Sequence, residues 1–267
     1  MKKLGLALGA GGSRGVAHIG FLKALEEEGI KPDYICGCSM GSVVGAAYAS
    51  GMSLNDMWAA VGKLRILDII TPSKQRGGLF GTKKIRQLLL KNIGDITFEE
   101  MKIPFRCVAV DMCTQSIVVF SEGSVLDAVV ASSSIPAVFH PLDKDGMRLV
   151  DGGILERVPV KQVKEMGADV VVAVDVLGQK DCSEDCPRTL GVLLEILDLM
   201  DNHRTKRRRE ENADIIDFWL EPDLGSMSQY ELKQVGLAYQ KGYELGLEYA
   251  PAIKKALRSR KRKKTEN

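Results

Sequence analysis

The chain predicts an α/β fold of three layers, with helices on both faces of a mainly parallel central sheet. Two patterns point there first. The first fifty residues alternate apolar strand, helix, strand and helix. Val170 to Val174 reads Val-Val-Val-Ala-Val without polar alternation, as a strand covered on both faces does. The third observation is bulk: 267 residues, 45% hydrophobic and 27% charged, suffice for one large core. With 27 glycines, 9 prolines and 6% aromatics the composition excludes collagen-like, low-complexity and mainly disordered chains.

Taken in order, Leu4 to Leu8 is the first strand. Lys2 and Lys3 before it resemble the start of a signal peptide, but Arg14 and His18 interrupt the apolar run and no small-residue cleavage site follows. Val16 to Glu28 reads as a helix whose narrow polar face, Lys23, Glu26 and Glu27, implies burial of the rest. Tyr34 to Cys38 is a strand and Met40 to Ser50 a helix. A helix follows near Lys83 to Leu90, then strands at Phe105 to Val110, Ile117 to Phe120 and, after an Asp145-Gly146 turn, Met147 to Val150. The last third reads as helical, with Leu190, Leu193, Leu194, Leu197 and Met200 on one face. Ser228 and Glu231 form a capping box ahead of Leu232 to Tyr249, and Pro251 marks where that helix is interrupted or ends. Gly77 to Gly81 reads as a connecting turn, or as an apolar lid. No repeat or linker divides the chain, so residues 1–253 are expected to be one domain and 254–267 a basic, disordered tail.

Charge is uneven. Residues 254–267 carry eight basic side chains against Glu266, a local +7 that leaves −5 on the rest of a chain of net +2. Basic residues from Lys254 to Lys264 are expected to contact an anionic membrane surface or only to solvate the end; without interleaved aromatics, specific nucleic-acid binding is not expected. No run reaches the ~20 apolar residues of a membrane span. Cys36, Cys38, Cys107 and Cys113 lie in or beside apolar strands, which suits reduced thiols and a cytoplasmic location, peripheral to the inner membrane face at most. Cys182 and Cys186 have no nearby Cys or His to complete a zinc set, and no other cluster has ligand spacing, so no metal or cofactor is expected.

The strongest chemical signal is Gly37-Cys38-Ser39-Met40-Gly41 at a strand-to-helix junction. A G-x-S-x-G elbow needs Gly37 and Gly41 because neighbouring backbones pass closely and the turn lifts the Ser39 hydroxyl above the sheet edge; the plainer reading is that Ser39 caps the helix. Gly9-Ala-Gly-Gly-Ser-Arg-Gly15 is a second strand-to-helix loop whose N–H groups can hold an anion. Its spacing fits neither the dinucleotide fingerprint nor a Walker A loop; an oxyanion hole fits better. Of three histidines, His18 and His140 read as structural, and a Ser-Asp-His triad would have to use His203 in a solvated charged stretch. The other candidate base is Asp151 of Asp151-Gly152-Gly153, unless it only caps a turn.

Leu8 to Gly15 continuing into Ala17-His-Ile-Gly20, Gly37 to Gly41, Ala131-Ser-Ser-Ser-Ile-Pro136 and Asp151 to Gly153 together resemble the patatin-like phospholipases, in particular the small bacterial members, over about Leu4 to Val176. The resemblance implies a three-layer fold and a metal-free Ser–Asp dyad that hydrolyses lipid acyl esters. It implies Ser39 as nucleophile, Asp151 as base, and an oxyanion hole around Gly11, Gly12 and Ser13. In support, Gly152 and Gly153 leave room for Ser39, and Arg14 either orients the loop or forms a salt bridge to the acidic body. The family's loop usually begins with glycine where this chain has Ala10, which demands an unstrained backbone there. Acyl transfer through the same acyl-enzyme, and a non-catalytic membrane-associated regulator, are the competing functions.

Overall fold

A computed structural model of the chain describes residues 2–65, 68–69, 71–72, 78–178 and 189–259. Cys182, Cys186, Gly77 and the basic run from Arg260 to Lys264 lie outside the described residues. The elements are β1 (Leu4–Leu8), α1 (Ala17–Glu27), β2 (Tyr34–Cys38), α2 (Met40–Ser50), α3 (Leu54–Lys63), β3 (Gly78–Phe80), α4 (Lys83–Ile93), β4 (Phe105–Asp111), β5 (Ser116–Phe120) and α5 (Val125–Ser132). They continue with β6 (Ala137–Phe139), β7 (Leu142–Lys144), β8 (Met147–Asp151), α6 (Val160–Glu165), β9 (Val170–Val174), α7 (Thr189–Glu211), β10 (Phe218–Leu220) and α8 (Val235–Arg258).

The main sheet runs β10-β9-β1-β2-β4-β8-β7, with β5 also on β4. Its β10-β9-β1-β2-β4 portion is parallel, and β5, β8 and β7 join antiparallel. β1 and β9 are buried along their whole length, as the unbroken apolar runs require. The two sheet faces differ in side-chain size. Leu4, Leu6, Leu8, Val170, Val172 and Val174 pack with α1, α2, α5 and α8. Ala7, Cys36, Cys38, Val171 and Ala173 form a thinner layer with Val160 and Val163 of α6. A Cβ on Gly5 would stand 2.2 Å from Val163, so the small residues set how closely α6 approaches.

Four expectations change. The first helix opens as a 3₁₀ turn over Gly12–Val16 before α1 begins at Ala17. Gly78 to Phe80 is no loop; it pairs with β6 as a small parallel sheet. Ser228 and Glu231 do not cap α8, which starts later at Val235 with Gln234 as its N-cap; the Ser228 hydroxyl instead accepts the Tyr230 N–H at 3.2 Å. Pro251 does not end α8 either. Ala250 and Ile253 are fully buried on one side of it while Pro251 is exposed on the other, so packing of the continuous buried face holds the helix through the proline to Arg258. Lys254 therefore belongs to a helix and pairs with Glu28 at 2.6 Å.

Candidate active site

Strand pairing brings Ser39 and Asp151 together. β5 covers Cys107 to Asp111 along one edge of β4. The other edge must then be shared: β2 occupies its first part, ending at Cys38 opposite Val108, and β8 its second part, ending at Asp151 opposite Ala109. The two strands meet end to end, and the residues at the junction are Ser39 and Asp151. The Asp145-Gly146 turn makes this possible. Both residues have positive φ, 50° and 76°, the conformation of a two-residue hairpin that pairs Lys144 with Met147 and sets the register of β8.

Ser39 sits at φ 51° and ψ −122°, outside the regions an L-residue adopts freely. Its surroundings hold it there. The Ser39 N–H donates to Ser132 Oγ at 2.9 Å, and its carbonyl accepts the Ser42 N–H at 2.9 Å, the Val43 N–H at 3.1 Å and the Ser42 hydroxyl at 2.6 Å. The Ser39 side chain makes no capping bond to α2, so the plain capping reading fails. Both elbow glycines are sterically required: a Cβ on Gly37 would lie 2.4 Å from the Gly41 carbonyl oxygen, and one on Gly41 would lie 2.1 Å from that of Leu8.

Asp151 is 6% exposed and Ser39 4%. Burial pushes the Asp151 carboxyl up to about 6, against bonds from the Ser39 hydroxyl, the Gly153 amide and the Cys38 thiol, with the nearby Asp201 adding to the rise. Gly153 donates to Oδ1 at 2.8 Å and the Asp151 N–H donates to the Ser134 carbonyl at 2.9 Å. Asp151 thus does cap a short turn, and its carboxylate also faces Ser39. Gly152 lets that turn pass β4, since a Cβ there would be 2.5 Å from the Val108 carbonyl oxygen.

The glycine loop closes the other side of the cleft, which Gly11, Gly12, Ser39, Asp151 and Gly153 all line. Ala10 keeps an ordinary backbone and donates its N–H to the Arg157 carbonyl at 3.0 Å. Ser13 is occupied: its N–H donates to the Gln229 carbonyl at 2.9 Å and its hydroxyl to the Ser228 carbonyl at 3.0 Å. The amides of Gly11 and Gly12 have no acceptor among the described residues. The loop is further held by His18, whose Nε2 lies 2.8 Å from the Gly9 carbonyl oxygen; burial lowers that imidazole to about 4, so it is neutral and donates there. Arg14 is buried beneath the loop with its Nη2 3.5 Å from the Gly225 carbonyl oxygen, and it makes no ion pair among the described residues.

No histidine lines the cleft among the described residues; His203 is exposed on α7. The cleft wall is apolar at Ile135, Pro136, Ile154, Leu177, Leu194 and Leu197. Sequence reasoning placed Ser132 in a motif without the role it has here, supporting the elbow, and missed the charged layer of Arg157, Asp175 and Asp201. Arg157 bonds Asp175 at 2.7 Å and Asp201 at 3.0 Å, tying α7 to the strand that ends at Val174. The available signal was positional: Asp175 directly follows the most apolar strand, and Asp198 and Asp201 interrupt an apolar helix at a spacing of three. Among the described residues no group of acidic, His or Cys side chains is placed to hold a metal ion.

The family model for patatin-like phospholipases matches residues 6–164. An uncharacterized NTE family protein of Mycobacterium tuberculosis is 37% identical over 181 residues, covering 67% of this chain and 50% of that protein. Lysophospholipase NTE1 of Phaeosphaeria nodorum is 33% identical over 199 residues, covering 71% of this chain and 13% of its own length. The chain therefore spans half of its mycobacterial relative and a small part of the fungal one. Among solved structures, VipD from Legionella pneumophila shares the fold at a TM-score of 0.66 and 14% identity, over 94% of this chain and 67% of that one. On a match covering more than half its length, the chain belongs to the patatin-like phospholipase family.

Proposed function

We propose that the chain is a serine lipid acyl hydrolase in which Ser39 and Asp151 act as a dyad. One observation carries the reading: a serine strained to positive φ at a strand-to-helix elbow faces a buried carboxyl whose pKa is raised to about 6. A free aspartate is too weak a base for a serine hydroxyl; desolvation brings it near neutral pH, where it is ionised and still basic. Ser39 Oγ attacks the ester carbonyl while Asp151 takes its proton. The oxyanion is received by the free amides of Gly11 and Gly12, which narrows the expected donor set by removing Ser13. Asp151 returns the proton to the leaving alkoxide, then activates the water that releases the acyl-enzyme. The apolar wall from Ile135 to Leu197 accepts an acyl chain.

Among the described residues no helix is long and apolar enough to cross a membrane. Electrostatic contact of the basic end with anionic lipid belongs to the same proposal. Its point of departure is informative: Lys2 at the start of β1 donates from Nζ to Ser259 Oγ at 2.8 Å, so α8 ends at the sheet edge opposite the cleft.

The test is turnover of a long-chain lysophospholipid by Ser39→Ala and Asp151→Asn. Each is expected to lose about 10³-fold or more, and the double variant no more than either alone, since the two act as one unit. Retention of more than a few per cent of activity by folded Ser39→Ala would show that the nucleophile lies elsewhere.

A further inference from the structure

On α7 apolar side chains face outward as well as inward, where Leu194 is buried and Leu197 lines the cleft. The inner side of the helix also carries Asp198, bonded by Gln229 Nε2 at 2.8 and 2.9 Å, and Asp201, bonded by Arg157. Val192, Leu193, Ile196, Leu199 and Met200 are 40% to 69% exposed. Their spacing of i, i+1, i+4, i+7 and i+8 puts all five on one stripe, the pattern that normally faces a core. The same stripe continues into His203, Lys206 and Arg207, all exposed, with Arg207 also paired to Glu211 at 2.8 Å.

We propose that this outer face of α7 docks on an anionic lipid surface and holds the cleft mouth against it. Three features favour that occupant. Met200 belongs to both surfaces, half exposed on the stripe and lining the cleft beside Leu197, so a lipid touching the stripe is continuous with the entrance to Ser39. The apolar turns are followed by cations on the same face, the arrangement of a helix lying in a headgroup layer with its side chains ~5–10 Å deep. The five side chains offer on the order of 400 Å², about half the ~800 Å² each partner of a stable dimer buries. Ser259, the last described residue, lies at the opposite edge beside Lys2. The choice of lipid as the partner rests on the lipid-hydrolase reading above.

The experiment uses the full chain carrying Ser39→Ala, so that no lipid is hydrolysed, and vesicles of equal parts phosphatidylcholine and phosphatidylglycerol. Adding Ile196→Gln and Leu199→Gln, neither of which lines the cleft, is expected to weaken vesicle binding about tenfold or more. With Ser39 restored, the same double substitution should leave turnover of a soluble short-chain ester, and the elution volume of the protein, unchanged. Three results would overturn the proposal: no vesicle binding by the parent, binding within about twofold between parent and variant, or a parent dimer that the substitutions convert to monomer, which would assign the face to a second copy. If the unsubstituted chain fails to turn over the short-chain ester while the vesicle difference persists, the Ser39 reading fails and the docking surface stands.

Discussion

The carboxyl of Asp151 is held in the state least favourable to the fold when it is most useful as a base. Its folded pKa of about 6 lies above the ordinary value of 3.8. The unfolded chain therefore ionises first as pH rises, and stability present below pH 4 is lost progressively up to about pH 6. Above that pH the buried charge costs up to about 3 kcal/mol. Asp151→Asn keeps the acceptor for the Gly153 N–H and removes the charge. It should match the parent in denaturant unfolding at pH 4 and exceed it by up to about 3 kcal/mol at pH 8; an equal difference at both pH values would contradict the burial argument. The candidate residues themselves were legible because glycines mark where backbones crowd: Gly37, Gly41 and Gly152 each stand where a Cβ would strike a carbonyl oxygen. Ser13 was over-read, since nothing local shows that Gln229 and Ser228, more than 200 residues away, occupy its donors.

Among the elements, α8 shows how packing overrides local grammar. A Cβ at Gly242 would stand 1.9 Å from the Ala17 carbonyl oxygen, and one at Gly20 would stand 2.0 Å from that of Tyr239, so α1 and α8 touch backbone to backbone. Gly236, on the same helix, has nothing within 4 Å of its position. Gly242→Val should cost about 3 kcal/mol through forced separation of the helices, while Gly236→Ala should gain about 0.5 to 1 kcal/mol from helix propensity alone. Thermal unfolding of the two variants checks both signs. The strands and helices that were read correctly owe it to nearly unbroken apolar runs beside glycine-marked turns, such as Leu4 to Leu8 and Met40 to Ser50. The three-residue strands β3, β6, β7 and β10, the last inside the third read as helical, were invisible because their pairing partners, not their own residues, define them. The Ser228 and Glu231 pattern misled for the complementary reason: a cap needs a helix that starts on it, and here Ser228 holds the glycine loop while Glu231 pairs with Lys233.

For the molecule as a whole, the sheet order is what converts separate motifs into one site. β2 delivers Ser39, β1 delivers the loop with Gly11 and Gly12, and β8 runs against them to deliver Asp151 at the same edge. Composition and periodicity foretold helices on both faces of a mainly parallel sheet, but not that β2 and β8 would share one side of β4. The central claim is that this junction generates the nucleophile. Its most direct measurement is labelling of the full chain with an acyl-phosphonate serine probe, with the adduct located by peptide mapping. The account predicts a single adduct on Ser39, formed more slowly as pH falls through about 6 and nearly abolished in Asp151→Asn. An adduct on another serine, or undiminished labelling of Asp151→Asn, would contradict it.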